Sequence, residues 1–209
     1  MKRYLFIAGV IDSRGYTLAD SKAELLRLLK WANTLFAQSL ERPLVPISEI
    51  DLFLEGLILK ESEAIDLLFN IEEYLIEENL EMKLAYYIKD VTFYEGAIGQ
   101  VGSEEILSRK KEIGTQRIKH SKKLGKRFLI ETGNRSLGKI MEIGQHFLDG
   151  WKPKDRSTVT GFLQGHDYKV LARMHGKDES SLWRRKKSLS IDHYLTCKEL
   201  AQMLANQVD

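Results

Sequence analysis

RYLFIAGVID, residues 3–12, is a continuous apolar run with the length of a β-strand. Runs of this kind are typical of a central strand that is buried on both of its faces. The residues DSRG at positions 12–15 then predict a turn. From Thr17 onward the apolar residues recur at helical spacing, with Asp20 suited to the first helical turn. The sequence therefore predicts a buried first strand followed by a long amphipathic helix.

The next segments continue the alternation of strands and helices. Pro43 and Pro46 break the helical pattern, and residues 44–59 predict two strands that form a hairpin with a turn near residues 50–51. Residues 63–78 return to the helical period and predict a helix with a strongly acidic outer face.

Two more strands and one more helix complete this part of the chain. Residues 82–91 predict a strand, and residues 126–132 predict a short last strand. Between them lies a glycine-rich loop at residues 96–102, after which Ser103 is expected to cap a third helix rich in lysine and arginine. The order β-α-β-β-α-β, followed by a helix and a strand, predicts a ferredoxin-like α+β fold in which helices cover one face of an antiparallel sheet.

The period of the apolar residues changes near Gly133. From Ser136 to the end of the chain the pattern is helical, and no strand is predicted. This change predicts two domains, an α/β domain at residues 1–132 and an all-α domain at residues 133–209.

Charge is distributed unevenly along the sequence. Residues 1–107 contain 10 Lys or Arg against 19 Asp or Glu, a net charge of −9, whereas residues 108–209 contain 22 against 11, a net charge of +11. Because lysine and arginine supply most of the non-specific affinity for nucleic acids, the second half is a candidate to face a polyanion. Solvated surface charge of both signs is the alternative.

Several classes of protein have no support in the sequence. The apolar runs are shorter than the roughly 20 residues that span a bilayer, and the start lacks a signal-peptide pattern, so we expect a cytoplasmic protein without membrane association. Cys197 is the only cysteine, and the histidines have neither HxxxH nor HExxH spacing. We therefore predict no metal site and no cofactor.

The segment DYKVLARMHGKDESSLWRRKKSL, residues 167–189, predicts two short helices with a tight turn. Asp167 is expected to cap the first helix, Gly176 to occupy a left-handed position at the turn, and Asp178 or Ser180 to cap the second helix. A small residue at Ala172, the glycine four positions later and an aliphatic residue at Leu182 have the spacing of a helix-turn-helix.

The second of these helices carries the side chains that we expect to contact double-stranded DNA. Hydroxyl, guanidinium and ammonium groups are suited to guanine edges and phosphate oxygens in a major groove. The predicted DNA-binding residues are Ser180, Ser181, Arg184, Arg185 and Lys187. A solvated basic tail and a dimerisation helix are the structural alternatives, and a homodimer is left open.

Four segments carry a resemblance to a known family. GVIDSR at residues 9–14 resembles the motif GDIVDSR, DLFLEGL at residues 51–57 resembles GDEFQGL, residues 97–102 resemble a glycine loop, and Trp151-Lys152-Pro153 opens a similar helical end. These motifs belong to the SatD family of bacterial proteins, which pairs a nucleotide-cyclase-like domain with a C-terminal helix-turn-helix. The resemblance spans nearly the whole chain and implies a cyclase-like α/β domain and a DNA-binding module.

The chain departs from the cyclase-like pattern where that pattern needs carboxylates. In such domains, acidic residues at the end of the first strand and in the hairpin hold the divalent ions that activate a triphosphate. Gly9, Leu52 and Phe53 stand at these positions. This departure predicts a degenerate, non-catalytic domain. The alternative is a displaced single-metal site, for which the remaining carboxylates are Asp12, Glu49, Asp51 and Glu55.

The sequence as a whole favours a transcriptional regulator that binds DNA and whose α/β domain serves as a sensor or scaffold. The alternative is a nucleotide-binding protein or cyclase-like enzyme, for which a nucleotide or other small molecule would be the ligand. Its candidate cleft residues are Asp12, Ser13, Arg14, Asp51, Glu55, Gly99 and Gly102. A purely structural interaction protein, which would bind neither ligand, is the third class.

Overall fold

Five strands and eight α-helices occupy the part of the chain that the structure, a computed structural model, describes, namely residues 2–47, 52–93 and 101–207. The strands are β1 (Lys2–Ser13), β2 (Leu40–Pro46), β3 (Phe53–Ile58), β4 (Met82–Thr92) and β5 (Phe128–Glu131). The helices are α1 (Leu18–Leu35), α2 (Glu61–Glu77), α3 (Val101–Leu124), α4 (Arg135–Gly150), α5 (Arg156–Leu163), α6 (Tyr168–His175), α7 (Glu179–Ser188) and α8 (Ile191–Asn206). A 3₁₀ turn, Pro153–Asp155, precedes α5. No helix in these residues is long and apolar enough to span a bilayer.

The sheet has the order β2-β3-β1-β4-β5 and is mixed. The pairs β2–β3, β3–β1 and β1–β4 are antiparallel, whereas β4 and β5 are parallel. The prediction of an antiparallel sheet is therefore wrong for β5. The long helix α3 connects β4 to β5, and a crossover of this kind returns the chain in the same direction.

Helices cover both faces of the sheet, and the prediction that they cover one face is wrong. Along β1, Phe6 and Ala8 belong to the core beneath α1 and α2, whereas Leu5 and Ile7 belong to a separate core beneath α3. The close approach of α3 depends on Gly114, where a Cβ atom would lie 2.7 Å from Cδ1 of Ile7. Because β1 is apolar on both faces, both faces need a cover.

Element boundaries differ from the predicted ones most at β2 and α3, and by one or two residues at the ends of α2 and β5. Thr17 caps α1 as expected, since its hydroxyl accepts a hydrogen bond from the backbone of Asp20 and the Asp20 carboxylate reaches back to Thr17. Strand β2 begins before Pro43 and contains both prolines, which an edge strand tolerates. Helix α3 includes Gly102 in its first turn, so this residue is not part of the preceding loop. The turn near residues 50–51 and most of the glycine loop lie outside the described residues.

Helix α2 lies in the interior of the molecule. It packs on the sheet through one side and against α4, α5 and α8 through the other, so that Phe69 and Tyr194 meet edge to face with 6.0 Å between ring centroids. The predicted acidic outer face is therefore wrong in part, because Glu72 is 5% exposed. One continuous core joins the sheet to the helical half of the chain.

Candidate nucleic-acid interface

The α6–α7 pair has the local structure that the sequence predicts. Asp167 caps α6 by accepting hydrogen bonds from the backbone N–H groups of Lys169 and Val170, both at 2.8 Å. Gly176 ends α6 in the left-handed conformation, with φ 60° and ψ 35°, which glycine adopts at little cost. Asp178, and not Ser180, caps α7.

Hydrogen bonds lower the pKa of both capping carboxyls, Asp167 and Asp178. The hydrogen bond from the backbone N–H group of Val170 is the largest cause of the lowered pKa of Asp167. The hydroxyl of Ser180 donates to Asp178 and is the largest cause of the lowered pKa of this carboxyl. Both carboxylates are therefore ionised at neutral pH, the form that satisfies the free N–H groups of a helix start.

The inner faces of α6 and α7 are apolar. Leu171, Ala172, Leu182 and Leu189 are buried, as the sequence predicts. Sequence reasoning missed the role of Gly161 in α5, where a Cβ atom would lie 2.3 Å from Cδ2 of Leu171. The missing side chain lets α6 pack closely on α5.

The outer face of α7 carries most of the predicted DNA-binding residues. The structure places Ser180, Ser181, Arg184 and Lys187 at the surface. The Arg184 guanidinium donates to the uncharged Ser180, at 3.3 Å to the carbonyl and 3.1 Å to the hydroxyl. Among the described residues, neither Arg184 nor Lys187 has an acidic ion-pair partner. Asp178 nevertheless lies near enough to Arg184 for this charge to help lower the pKa of its carboxyl.

Trp183 adds an aromatic ring to the same exposed face. Its side chain is 48% exposed, and Nζ of Lys187 lies 5.3 Å from the ring centroid. An exposed ring beside a cation can stack on a base or cover a sugar.

Arg185 points away from this face. Its guanidinium forms an ion pair with Asp155, whose side chain is 7% exposed and lies in the 3₁₀ turn before α5. The local pattern of residues does not indicate this contact, because the two residues are 30 positions apart. Arg185 therefore attaches α7 to the helical core.

The candidate cleft residues of the N-terminal half are not assembled at one place in the described residues. Asp12 and Arg14 form an ion pair at 3.1 Å near the end of β1. Glu55 pairs with Ile7, which precedes Asp12 by five residues on β1. At the rise of a strand this is a distance of roughly 16 Å along β1. Ser13 pairs with Met82 on β4. Asp51 and Gly99 lie outside the described residues, and Gly102 is in α3.

Apolar packing surrounds Gly9, the residue that the resemblance aligns with the first carboxylate of a cyclase-like site. Gly9 pairs with Phe53 across β1 and β3. A Cβ atom on Gly9 would lie 2.4 Å from Cε1 of Phe53 and 3.1 Å from Cγ2 of Ile118. An aspartate at this position would therefore require the Phe53 ring to move.

Glu55 lies beside an apolar pocket under α3. The pocket has a volume of about 300 Å³, and Leu5, Leu57 and Leu107 contribute to its walls. Lys111 forms an ion pair with Glu55 at this site. The neighbouring Arg42 pairs with Glu104 at 2.6 Å, so the charges around this pocket are largely compensated.

A largely buried ionic cluster, which sequence reasoning missed, joins α2, β4 and α4 through Arg127, the residue before β5. Arg127 donates to both carboxylate oxygens of Glu72 at 2.7 Å, and the Tyr86 hydroxyl donates to Glu72 at 2.6 Å. Burial lowers the pKa of Arg127, but the charge and hydrogen bonds of Glu72, together with the charge of Asp149, outweigh burial and raise the pKa above its usual value. Asp149 accepts a bond from Arg127 at 3.0 Å. The side chains of Glu72 and Arg127 are each 6% exposed, whereas Asp149 lies at the edge of the cluster, so the Glu72–Arg127 pair joins these elements in the interior.

Within residues 2–47, 52–93 and 101–207, no group of histidine, cysteine, aspartate or glutamate side chains could hold a metal ion. Comparisons of the chain with protein-family models, with curated proteins and with solved structures give no match.

Proposed function

We propose that the protein binds duplex DNA through the exposed face of α7 and acts as a transcriptional regulator. The observation that carries the proposal is the pairing of a capped, well-packed α6–turn–α7 unit with exposed cations at Arg184 and Lys187 that form no ion pair among the described residues. A helix fixed by its inner face and positively charged on its outer face is the arrangement that major-groove recognition requires.

The N-terminal half serves in this proposal as a non-catalytic sensor or scaffold. The β-α-β-β-α-β order, with β1 and β3 paired inside the sheet, supports a ferredoxin-like, degenerate cyclase-like domain of the SatD type. The packing of Phe53 on Gly9 favours this over the alternative of a cyclase-like enzyme. ATP or GTP with magnesium should accordingly leave the melting temperature unchanged, because a ligand stabilises only a fold that binds it.

The test is fluorescence anisotropy with a labelled random duplex at several salt concentrations. Arg184→Ala/Lys187→Ala should weaken binding and flatten the slope of log affinity against log salt by about 0.9 for each phosphate that the variant no longer neutralises. The matched control is Arg109→Ala/Lys123→Ala, which removes the same charge from exposed positions on α3 and should leave the slope unchanged.

Two results would contradict the proposal. A wild-type protein that binds no duplex DNA at low salt would rule out DNA binding. If the α3 variant loses affinity while the α7 variant keeps it, the contact surface lies on α3 and the helix-turn-helix interpretation fails.

A further inference from the structure

A second cation-lined surface lies beside α7. It is a cleft of about 370 Å³ between the 3₁₀ turn, the start of α5 and helix α7. Its walls include Lys154, Asp155, Lys177, Ser181, Arg184 and Arg185. Two of its cations, Lys154 and Lys177, are outside α7 and are not among the predicted DNA-binding residues.

The charge of the cleft is strongly positive. Asp155 is its one acidic residue among the described residues, and the ion pair with Arg185 already neutralises it. Lys154, Lys177 and Arg184 remain, and none of the three has an acidic partner within the part of the chain that the structure describes. Three cations that form no ion pair among the described residues share one concave surface and repel each other, although Asp178 lies near enough to Arg184 to feel its charge. An anion that enters the cleft relieves this repulsion.

The polar groups of the cleft suit a phosphate. The Ser181 hydroxyl is exposed and lines the cleft between the cations. Hydroxyl and ammonium donors together satisfy the oxygens of a phosphodiester, and the volume lies within the roughly 300–1,000 Å³ of small-molecule sites, enough for a phosphate and its sugar.

We propose that this cleft holds a backbone phosphate of duplex DNA, with Lys154 and Lys177 as the contacts that position α7. The inference rests on the proposed function and extends it beyond α7. Arg184 belongs both to the cleft and to the exposed face of α7, so a DNA strand can follow the cleft while the exposed face lies toward the groove. Phosphate contacts of this kind fix the register of a recognition helix without reading sequence.

The variant that tests the cleft is Lys154→Ala/Lys177→Ala, in the full-length chain and in the same anisotropy assay. We expect a Kd about tenfold weaker at moderate salt and a salt slope flatter by about 0.9, the value for one phosphate. Lys154→Arg/Lys177→Arg should keep both values near wild type. The control Lys30→Ala/Lys139→Ala removes two exposed lysines from α1 and α4 and should change neither. All four positions are exposed, so every variant should have the melting temperature of the wild-type protein.

The outcomes separate the cleft from the proposed function. If wild type binds DNA and the cleft variant matches the control, the cleft proposal is overturned while DNA binding by α7 stands. If wild type binds no DNA, the proposed function fails. Inorganic pyrophosphate is then added to the protein, and the amide chemical shifts show whether the cleft binds a free anion. A shift at Ser181 that is lost in the cleft variant would mean a site for a free phosphorylated compound, and the DNA backbone would be excluded. Absence of any shift would remove the cleft as an anion site.

Discussion

Gly9 lies where β1 pairs with β3 and where α3 crosses the sheet. The Phe53 ring comes from the paired strand and Ile118 from α3, and together they fill the space beside the Gly9 backbone. Any side chain at this position would overlap the ring, since van der Waals contact between carbon atoms lies near 3.5–4.0 Å. The absence of a carboxylate is therefore coupled to the packing of two other elements.

Gly9→Ala should lower the free energy of unfolding by about 1–3 kcal/mol, the usual cost of inserting a methyl group into a packed core. Urea denaturation measures the change. Gly133→Ala is the matched control, because no atom lies within 4 Å of the added methyl group, and it should stay within about 0.5 kcal/mol of wild type.

A second variant makes the cause of this loss testable. Phe53→Leu combined with Gly9→Ala should cost less than the sum of the single variants, because the shorter side chain leaves room for the methyl group. Additive effects, or a Gly9→Ala protein as stable as wild type, would show that the Phe53 ring does not limit the size of the side chain at this position.

At the scale of elements, α7 combines a structural side with an exposed side. Leu182, Leu189 and Arg185 face the helical core, whereas Arg184 and Lys187 face solvent. Substitutions of neighbouring arginines should therefore have different effects.

Arg185→Ala should lower the free energy of unfolding by about 1–3 kcal/mol, because it leaves the buried Asp155 carboxylate without its cation. Arg184→Ala should change stability by less than about 0.5 kcal/mol. Thermal or urea unfolding distinguishes the two. Asp155→Asn in the Arg185→Ala background should recover part of the loss, since no charge is then left unpaired. Equal stability of the two arginine variants would mean that the ion pair contributes nothing.

The elements themselves were largely predictable from the sequence. The apolar run of β1, the capping box at Thr17 and the glycine turn at Gly176 are local signals, and each lies where the sequence indicates. The sequence predicts a start of β2 that is too late, because Pro43 argues against a strand unless the strand is known to lie at the edge of the sheet.

Long-range pairings could not be predicted. Glu72 and Arg127 are 55 residues apart, and Arg185 and Asp155 are 30 apart, so no periodicity connects them. For the same reason the pattern of α2 indicated an acidic outer face, although one of its glutamates is the centre of a buried cluster. The candidate site was predictable as a helix and its caps, but not as a cleft, because Lys154 and Lys177 come from different segments.

At the scale of the whole molecule, α2 connects the sheet to the helical half. Tyr194 donates to Glu73 at 2.8 Å, Lys198 donates to the same carboxylate at 2.7 Å, and Gln202 donates to Asp66 at 2.6 Å. Part of the basic charge of the second half is thus used inside the molecule and is not available to a polyanion. The domain division near Gly133 stays a prediction, and the core continues across it.

This shared core should make the two halves unfold in one transition. Two tryptophans report on them separately: Trp31 in α1 stacks on Tyr74 with 4.5 Å between centroids, and Trp151, which follows α4, donates to the carbonyl of Leu189 at 2.8 Å. In Trp183→Phe protein, replacing either Trp31 or Trp151 by Phe leaves one reporter. Helix α2 would lose the helices that cover it if the helical half unfolded first, so we expect a single transition. In each variant, the urea curve of tryptophan fluorescence should have the same midpoint and slope as the urea curve of circular dichroism.

Tyr194→Phe, made in both reporter proteins, tests whether α2 carries the coupling. Removing the hydrogen bond to Glu73 should cost about 1 kcal/mol and shift the Trp31 and Trp151 transitions by the same amount, although Tyr194 lies in the helical half. If only the Trp151 transition shifts, or if its fluorescence changes at lower urea than circular dichroism does, the helical half unfolds independently. The boundary near Gly133 would then separate two energetic units, and the continuous core would not make them cooperative.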